Sequence, residues 1–137
     1  MRPEITCTPI GFVSSPFKER GDAPRQGRLT EEISTITLED VYLPAMLGLE
    51  AGADIFVFCW FDRSDRTVLQ SRRDDTLPIK GVFANRSPNR PNPIALTLVK
   101  IVEIKENCII VSGLEALDGT PVLDIKPYSA EFDTPKR

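Results

Sequence analysis

The chain has 137 residues, of which 41% are hydrophobic and 27% charged, a size and balance that suit one domain around one core. Its net charge is only −3 and it contains no histidine, which excludes Ser-His and Cys-His nucleophile pairs and any imidazole metal ligand. The longest apolar run, Ile55 to Phe61, is seven residues, far below the length of a membrane span.

Short runs of Val, Ile, Phe and Leu separated by Pro, Gly and Asn predict strands rather than helices. Ile5 to Val13 reads as a first strand, with Pro9 implying an edge position or a bulge. Leu29 to Leu38 alternates weakly and gives a second. One helix is expected from about Pro44 to Glu50, with Pro44 at its first position and Gly52 ending it. Ile55 to Phe61 is continuously apolar and reads as a central strand buried on both faces, its Trp60 and phenylalanines in the core. Ser64 to Lys80 is polar and long for a connection, which marks a functional or mobile loop. Ile94 to Ile104 and Cys108 to Leu114 form a hairpin across Glu106-Asn107, since asparagine tolerates the left-handed turn conformation. Pro121 to Ile125 supplies a last strand. The fold class expected is all-β, a single compact β-barrel domain over residues 1–137 with one or two short helices, because closure removes exposed strand edges.

Cys7, Cys59 and Cys108 are odd in number, widely spaced and set in apolar stretches, which reads as reduced, packed core thiols. The N-terminal Met-Arg-Pro-Glu lacks a hydrophobic signal region, so a cytoplasmic protein with no membrane partner is expected. The cysteine spacing fits no zinc motif, and neither Gly-x-Gly-x-x-Gly nor a phosphate-binding Gly-x4-Gly-Lys occurs, so no metal is expected.

The most informative stretch is Gly81-Val-Phe-Ala-Asn-Arg-Ser-Pro-Asn-Arg-Pro-Asn-Pro93. Pro88, Pro91 and Pro93 fix φ, and each pushes the preceding residue toward extended geometry. Arg86, Arg90, Asn85, Asn89 and Asn92 are thereby carried on a stiff loop, which suits recognition of a polar, planar or anionic ligand. Between Arg63 and Arg90 seven basic residues stand against three acidic ones, a local positive zone on an acidic chain. Three further polar clusters sit at strand ends or in loops: Pro24-Arg25-Gln26, Asp62-Arg63, and Leu117-Asp118-Gly119-Thr120-Pro121. Taken singly, each is explained by turn or surface structure; together they place carboxylate, guanidinium and backbone groups around a polar cleft.

Residues 81–96 resemble the signature of the TsaA-like, or TrmO, family of tRNA methyltransferases. Ile10-Gly-Phe-Val-Ser-Ser-Pro-Phe-Lys18, Pro24-Arg25-Gln26, Gly48-Leu49-Glu50 and Leu117 through Tyr128 are similar to other motifs of that family, and the match runs from about residue 5 to residue 133. The resemblance implies a β-barrel that binds S-adenosyl-L-methionine, acts as a homodimer with the cofactor near the subunit interface, and methylates tRNA at N6 of threonylcarbamoyladenosine 37. Carried over by motif, the cofactor contacts are Pro24, Arg25, Gln26, Asp62, Arg63, Arg86, Leu96, Ala116, Leu117, Asp118 and Gly119. Asp62 stands where the family usually has histidine, Ala95 where glycine is usual, and Asn85 where threonine is usual.

Methyl transfer from a sulfonium needs aim more than acid-base help, so the missing histidine is no obstacle. The threonylcarbamoyladenosine nitrogen must lose a proton, and Asp62, Asp124 and Tyr128 are the candidate acceptors. Arg25 or Arg86 suits the methionine carboxylate, and Asp118 a polar group of the cofactor. Arg66, Arg72, Arg73 and Arg90 are candidates for tRNA phosphates or the threonyl carboxylate, with Arg90 alternatively bracing its own loop. The rival reading is a non-catalytic barrel that binds RNA or a nucleotide and regulates a partner.

Overall fold

The computed structural model describes residues 2–17 and 32–136. Its strands are β1 (Gly11–Ser14), β2 (Ile33–Leu38), β3 (Asp54–Trp60), β4 (Gln70–Ser71), β5 (Lys80–Gly81), β6 (Ile94–Lys105), β7 (Cys108–Ser112) and β8 (Pro121–Pro127). Six of them close a barrel in the order β1-β2-β7-β6-β3-β8, every pairing antiparallel and β8 returning to β1. β4 and β5 form a separate two-stranded ribbon. The expected all-β barrel is the fold observed. Among the described residues no helix is long and apolar enough to cross a membrane.

Period-2 alternation builds the interior. Ile55, Val57 and Cys59 of β3 point inward with Ile36 and Leu38 of β2, Val99 and Ile101 of β6, Ile109 and Val111 of β7, and Val122 of β8. The other face of β3, carrying Phe56, Phe58 and Trp60, is only half-buried. The strand is therefore not buried on both faces, and its aromatic rings lie outside the core. A barrel interior this narrow is filled by branched aliphatic side chains, and the rings pack on its outer wall.

Several expectations shift in detail. The first strand is only Gly11–Ser14, and residues 5–10 are not strand. Residues 29–31 of the expected second strand lie outside the described residues; the rest begins at Ile33. The expected helix at 44–50 is instead a 3-10 helix, Asp40–Met46, with Pro44 inside it. Its i→i+3 bonds, Tyr42 N to Glu39 O at 2.9 Å and Leu47 N to Pro44 O at 3.4 Å, leave out Pro44, which has no N–H to give. A single α-helical turn, α1 (Ala130–Asp133), follows β8, and its Asp133 accepts from Ser129 N at 2.7 Å. The β6-β7 hairpin is as expected, but Glu106, not Asn107, takes the positive φ of 55°. Asn107 instead turns its amide to Leu38 O at 2.8 Å and ties the hairpin to the end of β2.

The thiols also differ from expectation. Only Cys59 is a core residue; Cys7 is exposed and Cys108 half-buried, and all three are free. Cys7 precedes the first strand, so no sheet covers it.

Candidate functional site

One end of the barrel carries a cleft of about 580 Å³. Phe61 to Ser64, which leave β3, form one wall. The loop from Phe83 to Pro93 and the first residues of β6 form another. Glu115, Leu117 and Thr120, between β7 and β8, close it. This volume suits a small-molecule ligand, and the lining mixes rings and aliphatic groups with a few charged ones.

Hydrogen bonds fix each wall. Phe61 N donates to Pro93 O at 2.9 Å, holding the end of β3 to the start of β6. Residues 117–120 form a turn with Gly119 at φ 85°. Thr120 Oγ1 donates to Leu117 O at 2.6 Å. Gly119 N donates to Val13 O at 2.7 Å, and Val13 N to Thr120 O at 3.0 Å, so this wall is sewn to β1. Asp118 Oδ1 accepts from Ser15 N at 3.0 Å. Asp118 thus works as a cap on the chain leaving β1.

The stiff loop is held differently from the sequence expectation. Arg90 Nη1 donates to Asn85 O at 3.1 Å and Ser87 O at 3.0 Å, and its Nη2 donates to Val82 O at 2.7 Å. Asn85 Oδ1 accepts from Ser87 N at 3.0 Å, and its amide reaches Ser71 Oγ at 3.2 Å in β4. Asn89 Oδ1 accepts from Asp65 N at 2.9 Å. Arg66 donates to Pro91 O at 2.7 Å and Asn92 Oδ1 at 3.1 Å, while its guanidinium lies 5.0 Å from the centre of the Trp60 ring. These amides and two of the arginines are therefore internal braces. Arg66 and Arg90 thus act as structural clamps, which for Arg90 is the bracing alternative given above. Of the loop's guanidinium and amide side chains, only Arg86 makes no hydrogen bond or ion pair among the described residues, and it is exposed toward the cleft.

The remaining candidates divide clearly. Asp62, Arg63, Arg86, Leu96 and Leu117 line the cleft together. Arg63 leans across it, with Nη2 3.5 Å from Asp118 O. Ala116 is 1% exposed and belongs to the core, and Gly119 serves the turn, so neither side contributes a wall. Pro24, Arg25 and Gln26 lie outside the described residues. Of the expected proton acceptors only Asp62 lines the cleft. Asp124 lies on the outer face opposite Phe58, where its carboxylate accepts from Ile125 N at 2.8 Å. Tyr128 packs edge-on against Phe56 with ring centroids 5.9 Å apart. Arg72 pairs with Asp75 at 3.4 Å, and it and Arg73 are exposed beyond the β4-β5 ribbon, outside the cleft lining.

Phe83 and Glu115 are among the lining residues that escaped the sequence reading. Phe83 sits in a polar motif, where its own exposure was not legible. Glu115 directly precedes the 116–119 cluster, and only the β7-β8 geometry turns it into the cleft. Thr97, buried on β6, lies 3.5 Å from Glu115 Oε1. The Cys59 thiol is pushed up from 9.0 to about 12, first by burial and then by the Glu115 carboxylate. Cys59 is therefore a protonated, inert thiol rather than a nucleophile. Its contribution to stability is full below pH 9.0 and is lost as pH climbs toward about 12, because there the unfolded thiol ionises and the folded one does not. Alkylation of the folded protein at pH 8 should modify Cys7 and spare Cys59, read by peptide mass spectrometry. Equal modification of both would contradict this placement.

Comparisons with known proteins bear on the chain as a whole. The profile of the tRNA-methyltransferase O N-terminal domain matches residues 12–134. A probable S-adenosyl-L-methionine-binding protein of Methanothermobacter thermautotrophicus is 47% identical over 131 residues, covering 96% of this chain and 95% of that protein. The human tRNA (adenine(37)-N6)-methyltransferase is 34% identical, covering 96% of this chain and 32% of its own length. The crystal structure of TrmO from Pseudomonas aeruginosa aligns with a TM-score of 0.79 at 32% identity, covering 97% of this chain and 60% of that one. The chain thus spans nearly all of the Methanothermobacter relative and about 60% of the solved structure.

Proposed function

The chain belongs to the tRNA-methyltransferase O family, and from that premise we propose that it binds S-adenosylmethionine in the cleft and methylates tRNA at N6 of threonylcarbamoyladenosine 37. The observation that carries this reading is Arg86, an exposed guanidinium with no hydrogen bond or ion pair among the described residues, held by a braced loop over a largely apolar cleft. The donor set fits the ligand. Phe61, Ile94, Leu96 and Leu117 offer apolar surface to rings and methylenes, Arg86 offers a fork for a carboxylate, and Asp62 and Glu115 face cationic groups.

S-adenosylmethionine supplies an activated methyl group on a sulfonium. The protein's share is to hold the reacting partners in line and to keep water out. Arg86 anchors the carboxylate end, and the prolines on either side of Arg90 keep that anchor in place. Asp62 is the acceptor for the proton that leaves the substrate nitrogen; its side chain has no hydrogen bond among the described residues and lines the cleft. The three free thiols fit a reducing, cytoplasmic setting.

A homodimer is part of the same proposal. On the outer wall, β3 and β6 pair Trp60 with Ile94, Phe58 with Leu96, and Phe56 with Leu98, an apolar face in which Ile94 and Leu96 are 49% and 41% exposed. Leu96 also lines the cleft, so covering this face with a second copy would bring the subunit contact beside the cofactor.

Isothermal titration tests the first step. Arg86→Ala should weaken S-adenosylmethionine binding by roughly tenfold to a hundredfold, the worth of a charge-assisted bond. No binding by the wild-type protein would sink the reading. Transfer of labelled methyl to tRNA with and without the threonylcarbamoyl group tests the second step; equal labelling would contradict the substrate. Binding without transfer to either tRNA would favour the non-catalytic barrel.

A further inference from the structure

Phe83 is the most exposed large hydrophobic side chain of the cleft, at 88%. It stands on the short 3-10 turn Val82–Ala84, and both neighbouring attachments are rigid. Val82 is 2% exposed and plugs the turn into the protein. Its N–H donates to Leu69 O at 3.0 Å, and its carbonyl accepts from Arg90 Nη2 at 2.7 Å. The ring is therefore presented to solvent by a fixed backbone and not by a loose loop. Lys80 precedes it by three residues and Arg86 follows it by three, both exposed.

We propose that Phe83 is the platform on which an unpaired base of the RNA substrate stacks at the mouth of the cleft. This rests on the methyltransferase reading and adds to it the residue that receives the base. An exposed ring beside an exposed cation is the combination that binds single-stranded RNA, since the ring takes the base and Lys80 takes a phosphate while Arg86 holds the methyl donor. A second protein copy is the less suitable occupant. A two-fold contact through Phe83 would set Lys80 and Arg86 against their own counterparts, whereas a polyanion meets Lys80 with opposite charge. The ring also lines the cleft assigned to the methyl donor, where a base must arrive to be methylated.

The test uses the full chain, Phe83→Ala, Phe83→Leu and Phe83→Trp, and a fluorescein-labelled anticodon stem-loop beside a duplex of equal length without a loop. Phe83→Ala and Phe83→Leu should weaken stem-loop binding by roughly fivefold to a hundredfold, with Phe83→Trp restoring it, while duplex binding barely changes. KM for tRNA should rise more than kcat falls, and the loss on RNA should exceed any loss on S-adenosylmethionine measured by titration. If Phe83→Leu matches wild type, or if Phe83→Ala binds the stem-loop normally but lowers the mass seen by light scattering, the ring is a protein contact and the inference fails. Failure of wild-type methyl transfer with the stem-loop effect intact would remove the methyltransferase reading alone.

Discussion

Gly11→Ala should open the barrel at its narrowest seam and cost about 3 kcal/mol or more of stability. Gly11 lies opposite Leu38 on one side and Val122 on the other, so it is a residue through which β1 joins β2 to β8. A methyl group there would lie 2.2 Å from Thr37 O and 2.9 Å from both Leu38 Cα and Thr37 C. All three atoms are backbone, so no side chain can swing aside. β1 has only four residues, and a shift at Gly11 reaches Val13, whose bonds to Gly119 and Thr120 support the cleft wall. Circular dichroism should show the melting temperature falling by about 10 °C. Phe12→Ala, one residue on and facing outward at 44% exposure, should fall far less. Equal melting of the glycine variant and wild type would refute the steric account.

The elements legible in the sequence are those whose side-chain pattern is local. β3, β6, β7 and β8 came from apolar runs bounded by turn residues, and closure followed from the need to cover edges. What the sequence did not show depends on partners far along the chain. The inward and outward faces of β3 cannot be told apart when every residue is apolar, so Phe56, Phe58 and Trp60 read as core. Likewise Asn107 is the turn former on paper, and only its bond to the Leu38 carbonyl, far along the chain, goes with Glu106 taking the bend instead. The site shows the same division. The motif around Arg86 located the cleft, yet whether an arginine faces a ligand or its own loop is set by carbonyls that only the folded chain brings together. Arg66 and Arg90 have the composition of phosphate ligands and the geometry of clamps.

Arg90→Ala is therefore expected to damage both the fold and the site more than loss of the ligand-facing arginine would damage the fold. Three donated bonds vanish, and the carbonyls of Val82, Asn85 and Ser87 lose their charged partner in a part-buried setting. Charge-assisted bonds of this kind suggest a loss of about 3 kcal/mol or more, or a melting temperature lower by about 10 °C. Three prolines fix φ along the loop, but they do not close it, because a proline offers no N–H to tie one turn to the next. Closure comes from the planar guanidinium, which reaches one carbonyl with one nitrogen and two with the other. Arg90→Lys should recover little, since a single ammonium lacks that fork. Arg86 and Phe83 lie four and seven residues before Arg90, inside the span from Val82 that its bonds close. Their aim should degrade with it, lowering S-adenosylmethionine affinity by at least about tenfold although Arg90 itself is bonded to the loop. Differential scanning fluorimetry beside titration separates the two effects. If Arg90→Lys melts and binds like wild type, the loop is held by its prolines alone, and the clamp has no role in presenting Arg86.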